Sequence, residues 1–423
     1  MAWATRPLLG GGVKSVTSAV KNTGAARNEK KIDPPTHTAA LNRPTNLRNP
    51  GTPQCNGTDC AMPRLVCPPL GQSLPFLLTK SSPKPRFPAM NSRIVLSVVA
   101  GLLTLGQALN AAEEGPFTIK KNGDNYRVEI DGRLFTEYIP TGYNKPVLYP
   151  VIGPHGVGMT RNYPFKEVEG EAKDHVHHAS LWFTHGEVNG ISFWHNAKNT
   201  GKIIPAELVR AKGGRRGSIV SKNSWVGPDG KVICTDRTSI SFYKAFGGTF
   251  VSYTVTVFAS EGDVTFGDTK EGSMGIRTHP NLRLSNGKGV TTANGHALNS
   301  AGHKDKELWG KRAKWVDYWG KIDGHTVGVA IFDHPDNLRH PTWWHARDYG
   351  LVAANPFGIH NFEGKKKGVG DFKLNKGEQQ QFRYGILFHE GDVQTADIAG
   401  SYAKWVEAVA VYKARAAEQT GNK

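Results

Sequence analysis

The stretch Phe117-Thr-Ile-Lys-Lys121, Asn122-Gly-Asp-Asn125, Tyr126-Arg-Val-Glu-Ile130, Asp131-Gly132 reads as strand, turn, strand, turn. Apolar and polar residues alternate on both sides of Asn122-Gly123, and a second Gly-bearing dipeptide closes the second run, which is the pattern of a β-hairpin. The same grammar recurs down the chain. Ser218–Val220 and Lys231–Thr235 flank Gly227-Pro-Asp-Gly230, Thr238–Tyr243 and Thr249–Ala259 flank Gly247-Gly248, and Val327–Phe332 and Gln381–Phe388 are further runs of the kind. Short strands with no helical pattern between them predict an all-β fold, a large antiparallel β-sandwich. One helical stripe stands at the end. Ile398, Tyr402, Trp405, Val409 and Tyr412 mark an α-helix from Asp397 to about Ala417, expected to lie on the sheet surface. With no internal repeat and no composition shift, residues 112–423 read as one domain.

Upstream of this domain the chain changes character. Of its 25 prolines, 13 fall in residues 1–89, where Trp3, Phe76 and Phe87 are the only aromatics. Such a segment cannot bury a core, and it reads as a disordered extension or as a start codon set too far upstream. Met90-Asn-Ser-Arg93 then forms a basic n-region, Ile94–Leu105 an apolar h-region, and Ala108–Ala112 a small-residue cleavage site. Residues 90–111 are therefore expected to be a signal peptide, and the domain periplasmic or extracellular. The apolar run is about a dozen residues against the roughly 20 that span a bilayer, and nothing later is as apolar, so no integral membrane span is expected after cleavage.

The same division reshapes charge and cysteine usage. The first 111 residues carry 13 Lys/Arg and 3 Asp/Glu of the chain's 53 and 36, so the formal +17 falls to +7 for the rest. A nucleic-acid partner is not indicated by that balance. Cys55, Cys60 and Cys67 also lie upstream. Cys234 stands alone in the apolar run Lys231–Thr235, where it can form no intrachain disulfide and is expected to be a buried, inert thiol.

Three segments concentrate chemistry-bearing side chains. The densest is Asp174-His175-Val-His177-His178-Ala-Ser180-Leu-Trp182, followed by His185 and Glu187. On a strand, His175 and His177 would share one face and His178 the other. Two imidazoles at that spacing can pair as general base and orienting partner, or ligate a divalent metal. The second segment, Lys270-Glu271 to Arg277-Thr-His279, puts a carboxylate, a guanidinium and an imidazole on odd positions of one strand face, which suits an acidic or polyhydroxylated substrate. In the third, Trp343-Trp344-His345-Ala-Arg347-Asp348-Tyr349-Gly350 precedes Asn355 to His360. Flat apolar rings beside forked donors and acceptors are what a sugar site uses. The domain lacks a Walker loop, a Gly-x-Gly-x-x-Gly fingerprint and a Gly-x-Ser-x-Gly elbow.

Together these segments, Asp174 to Gly186, Lys270 to Arg277 and Trp344 to His360, resemble a family of exported bacterial proteins abundant in planctomycetes and labelled PmoA-like, or "methane oxygenase PmoA". The resemblance covers nearly all of residues 112–423. That label implies a copper enzyme of membrane helices, which a Gly-punctuated, strand-rich chain cannot form. The pattern is also similar to the galactose-mutarotase-like supersandwich, which implies a sugar-binding cleft on one large sheet with His and a carboxylate moving protons.

The expectation is a lyase, epimerase or hydrolase acting on a carbohydrate by His/Glu acid–base chemistry. His177 and His175 would be base and partner and Glu271 the acid, with His279 and His345 as further catalytic candidates. Substrate would be held by Asp174, His178, Trp182, Arg277, Trp344, Arg347, Asp348 and His360. No cofactor is firmly implied. A metal-dependent, copper or iron, oxygenase-like protein using His175 and His177 as ligands is one alternative, and a non-catalytic sugar-binding protein the other.

Overall fold

A computed structural model describes residues 115–421; the extension, the signal-peptide segment and the three upstream cysteines lie outside the described residues. The strands are β1 (Phe117–Asn122), β2 (Asn125–Ile130), β3 (Arg133–Ile139), β4 (Val147–Val151), β5 (Leu181–His185) and β6 (Lys202–Lys212). They continue with β7 (Gly217–Val226), β8 (Val232–Ala245), β9 (Gly248–Phe258), β10 (Val264–Phe266), β11 (Gly272–Arg277) and β12 (His296–Asn299). The last are β13 (Trp315–Ile322), β14 (His325–Asp333), β15 (Trp343–Ala346), β16 (Leu351–Asn355), β17 (Phe372–Leu374) and β18 (Gln379–Glu390). A short helix α1 (Ile359–Glu363) and the long terminal helix α2 (Ile398–Gly421) complete the described elements.

The predicted hairpins are present. β1 and β2 pair antiparallel through Asn122 and Asn125, and Asp131 and Gly132, both at positive φ, turn β2 into β3 as a two-residue hairpin loop requires. Sixteen of the strands assemble into two eight-stranded sheets, in the orders β1-β2-β3-β4-β5-β11-β16-β15 and β12-β13-β14-β18-β9-β8-β7-β6, and β10 pairs with β17 in a small third sheet, with every pairing antiparallel. The fold is the all-β sandwich that the alternation predicts.

The core lies between the sheets, where alternate residues from each strand meet. Phe135 of the first sheet packs edge-on against Phe242 and Phe388 of the second, with centroids 6.0 and 5.9 Å apart. Cys234 sits buried in this layer, its thiol pKa pushed up by burial. Helix α2 covers the outer face of the second sheet: Trp405 packs on Phe250 and Phe332, and the Tyr402 hydroxyl donates to the Asp333 carbonyl. Among the described residues no helix is long and apolar enough to cross a membrane.

The outer face of the first sheet carries a separate buried cluster of Val147, Ala179, Trp182, Trp194, Leu351 and Ala353. Strand register explains its composition. Trp182 is opposite Gly275, Gly275 opposite Ala353, and Ala353 opposite His345, so these four form one row across β5, β11, β16 and β15. A side chain longer than hydrogen at 275 would meet the indole of Trp182 at 2.8 Å. Two small residues between a tryptophan and a histidine thus leave a shallow floor, about 14 Å wide at three strand spacings.

Candidate active site

Above that floor lies a cleft of about 360 Å³ lined by His175, His177, His178, His195, Lys270, Glu271, His345, Arg347 and Tyr349. All three sequence segments therefore meet, on the outer face of the first sheet rather than in the core.

The residues from Asp174 to Ser180 form a loop ahead of β5, not a strand, and His175 and Ser180 both take positive φ. The expected split of His175 and His177 from His178 is thereby corrected. His175 stacks parallel on His178 at 4.8 Å, and His177 meets His178 edge-on at 4.5 Å. One buried side chain holds this backbone. Arg161 donates to the carbonyls of Ala172, Asp174, His175 and His178 and to the Asp174 carboxylate at 2.6 Å.

Asp174 is a strut. Its Oδ1 also accepts from Arg277 at 2.8 Å and its Oδ2 faces His175 Nδ1 at 2.9 Å. Burial by itself pushes the carboxyl pKa up, but the His175 contact and the two guanidinium charges more than offset it and hold Asp174 well below the usual carboxylate range. Arg277 is buried beneath the cleft and donates to His178 Nδ1 at 3.2 Å, which leaves His178 with its proton on Nε2. Trp182 is fully buried under His178, the rings stacked at 5.7 Å.

The opposite wall comes from the segment before β11 and from the β15–β16 hairpin. Glu271 is ion-paired with Lys270. His345 Nδ1 lies 2.8 Å from the Lys270 carbonyl, an acceptor only, so Nδ1 carries the proton and Nε2 the lone pair. Burial pulls the His345 pKa down to about 4. It does the same at His177, to about 3, with help from the charges of His195 and Lys145. Lys145, wholly buried below the loop, donates to Asn144 Oδ1 and to the carbonyls of His177 and Trp194, and burial draws its ammonium down to about 7. Burial also lowers the pKa of His178 and His195, and the side-chain cations lining the cleft are Lys270 and Arg347.

Four expected residues lie elsewhere. His279 caps the turn Pro280–Leu282, accepting from Asn281 N. Trp344 points between the sheets with its indole N–H on the Ala313 carbonyl, because alternation along β15 sends it opposite to His345. Asp348 binds Ser285 Oγ, and His360 Nδ1 binds the Lys365 carbonyl. Among the described residues no group of three or more His, Cys, Asp or Glu is placed to hold a metal ion. Three lining residues carried no role in the sequence reading: Lys270 and Tyr349 sit inside its motifs, and His195 follows Trp194 as His345 follows Trp344.

A family model described as "Family of unknown function (DUF6807)" matches residues 125–403. This corrects the PmoA-like resemblance, since no match to a PmoA or methane oxygenase family is found. No curated protein sequence matches the chain. Among solved structures, it is similar to a Glycoside Hydrolase Family 97 enzyme in complex with acarbose from Pseudoalteromonas sp. strain K8, at 11% identity and TM-score 0.28, covering 65% of this chain and 35% of that one. It is also similar to a galactose mutarotase-like protein from Lactobacillus casei ATCC 334, at 9% identity and TM-score 0.29, covering 64% of this chain and 100% of that one. A third is the heparan sulfate lyase HepC from Pedobacter heparinus, at 9% identity and TM-score 0.29, covering 66% and 36%. The chain thus spans about a third of the length of the glycoside hydrolase and the lyase.

Proposed function

We propose that this chain, which belongs to the DUF6807 family of unknown function, binds a sugar in the cleft and moves protons on it by general acid–base chemistry. The observation that carries this reading is one cleft in which the Nε2 lone pair of His345 and the carboxylate of Glu271 stand among four further imidazoles. The cleft's volume suits a ligand of one or two sugar rings, and its lining of imidazoles and cations suits hydroxyls better than an apolar molecule. His345 is the base, its tautomer fixed by Lys270. Glu271 with Lys270 orients or exchanges a proton with a hydroxyl, and His177 and His178 serve as hydrogen-bonding groups facing them. This shifts the leading base from His177, whose ring has no hydrogen-bonded partner among the described residues to fix its tautomer, to His345.

A purely binding role is the second reading, favoured by the low basicity that burial imposes on His177 and His345. A panel of mono- and oligosaccharides, scored for binding by calorimetry and for turnover by NMR of the sugar, separates the two. Turnover abolished by His345→Ala supports catalysis, tight binding without turnover supports the binding role, and no binding of any sugar overturns both.

A further inference from the structure

Arg347 lines the cleft with its guanidinium against two aromatic rings, 4.7 Å from the centroid of Trp309 and 5.5 Å from that of Tyr349. Among the described residues no carboxylate pairs with it and no acceptor receives its N–H groups. The cleft's one lining carboxylate, Glu271, is taken by Lys270. Behind the loop, the guanidiniums of Arg161 and Arg277 share the one carboxylate of Asp174. His178, 1% exposed, adds an Nε2–H that finds no partner among the described residues. A planar cation held rigid by stacking, with all its donors unspent, is a receptor for a planar anion.

We infer that Arg347 binds the carboxylate of an acidic sugar, so that the cleft's ligand is a uronic acid residue rather than a neutral hexose. This rests on the carbohydrate reading above and narrows it. The guanidinium forms two parallel N–H···O bonds to the carboxylate, and the sugar ring lies over the floor of Gly275 and Ala353 toward the imidazoles. The anion also counters the charges of Lys270 and Arg347 that, together with burial, hold the His345 pKa down, so binding it raises the basicity of His345. Ligand charge and catalytic competence become coupled.

The test is calorimetry on the full chain with methyl glucuronide and methyl galacturonide, set against methyl glucoside and methyl galactoside, and with glucose 6-sulfate as a second anion. Native protein is expected to bind a uronide about 10- to 100-fold more tightly than its neutral counterpart, the range set by charge-assisted hydrogen bonds. Arg347→Gln removes that preference, bringing the uronide down to the affinity of its neutral counterpart, and a melting temperature matching that of native protein shows that the variant is folded. Arg347→Lys, charged but without the fork, recovers part of the preference. Equal binding of neutral and acidic glycosides, or uronide binding indifferent to Arg347→Gln, overturns the inference while the sugar reading stands. A preference for the sulfate over both uronides overturns the assignment of a carboxylate. Binding of none of the five removes the reading on which the inference rests.

Discussion

His345 donates its Nδ1 proton to the carbonyl oxygen of Lys270 across 2.8 Å. The bond joins β15 to the segment that carries Glu271, so it fixes at once the tautomer of an imidazole and the position of the neighbouring carboxylate. A neutral Nε2 lone pair is available without a titration event near neutral pH. His345→Ala is expected to lower turnover by about 10²- to 10⁴-fold, as loss of a positioned general base does. His345→Asn keeps the bond to Lys270 without supplying a base. It should preserve sugar binding and melting temperature while losing turnover equally, and turnover retained by it would remove His345 from the chemistry.

Arg161 governs the loop from a buried position. Its donors reach five backbone carbonyls, that of Tyr163 among them, and the Asp174 carboxylate. Arg161→Ala leaves that carboxylate to Arg277 and His175 and frees the loop, at a cost of about 3–5 kcal/mol, the range for breaking a buried charge pair. Chemical denaturation reads the loss, and hydrogen exchange should rise first at residues 172–178. Uniform exchange across the first sheet would show that the loop is held by something else.

Gly275 gives a steric prediction. A methyl group there meets the Trp182 ring at 2.8 Å, and Trp182 supports His178. Gly275→Ala is expected to destabilise by about 1–3 kcal/mol, as overpacking does, and to weaken sugar binding with it. Gly275→Ala combined with Trp182→Phe should recover part of the stability. If the double variant is no better than the single one, the clash is not with Trp182.

The second sheet holds a pH-sensitive pair. His389 Nε2 lies 2.9 Å from Asp317 Oδ1 and its Nδ1 3.2 Å from the Glu390 carbonyl, so both ring nitrogens donate and the ring is an imidazolium. Burial opposes the charge, but Asp317 outweighs it, aided by the Glu390 carbonyl and Asp392, and the pKa is raised. A raised folded-state pKa gives stability that is fully present below the unfolded value of about 6.5 and is lost as pH rises through the folded one. Urea midpoints measured from pH 6 to 9 should therefore fall, and the fall should flatten in the double variant Asp317→Asn, His389→Gln. A slope that survives the double variant belongs to another group.

The fold was legible because its signal is local. The alternation from Phe117 to Ile130 and the Asp131-Gly132 turn lie within a few residues of one another, and antiparallel pairing needs little else. The terminal helix was legible from its apolar stripe, which ends on Phe250 and Phe332. The site was legible by composition and misread in geometry. Period-two alternation does not govern His175, His177 and His178, because the strand begins at Leu181, and what shapes the loop is Arg161, whose claim on those carbonyls no local pattern records. At Trp343-Trp344-His345 the alternation itself held the answer, since neighbours on β15 face opposite ways. His279, Asp348 and His360 entered by proximity in sequence to residues that do line the cleft, and Arg347 and Tyr349 differ from Asp348 only in the direction the hairpin gives them.

That direction traces to Gly350. It closes the turn between β15 and β16 at φ +85°, its amide returning to the Arg347 carbonyl, and a side chain on it would strike Thr278 Oγ1 at 2.5 Å. Lengthening or shortening this turn by one residue would exchange the addresses of Trp344 and His345, sending the indole out to the solvent face and the imidazole into the oil between the sheets. A residue that lies outside the cleft thereby decides which side chains of β15 line it, and a single-codon insertion there would dismantle the cleft while leaving its amino-acid inventory complete.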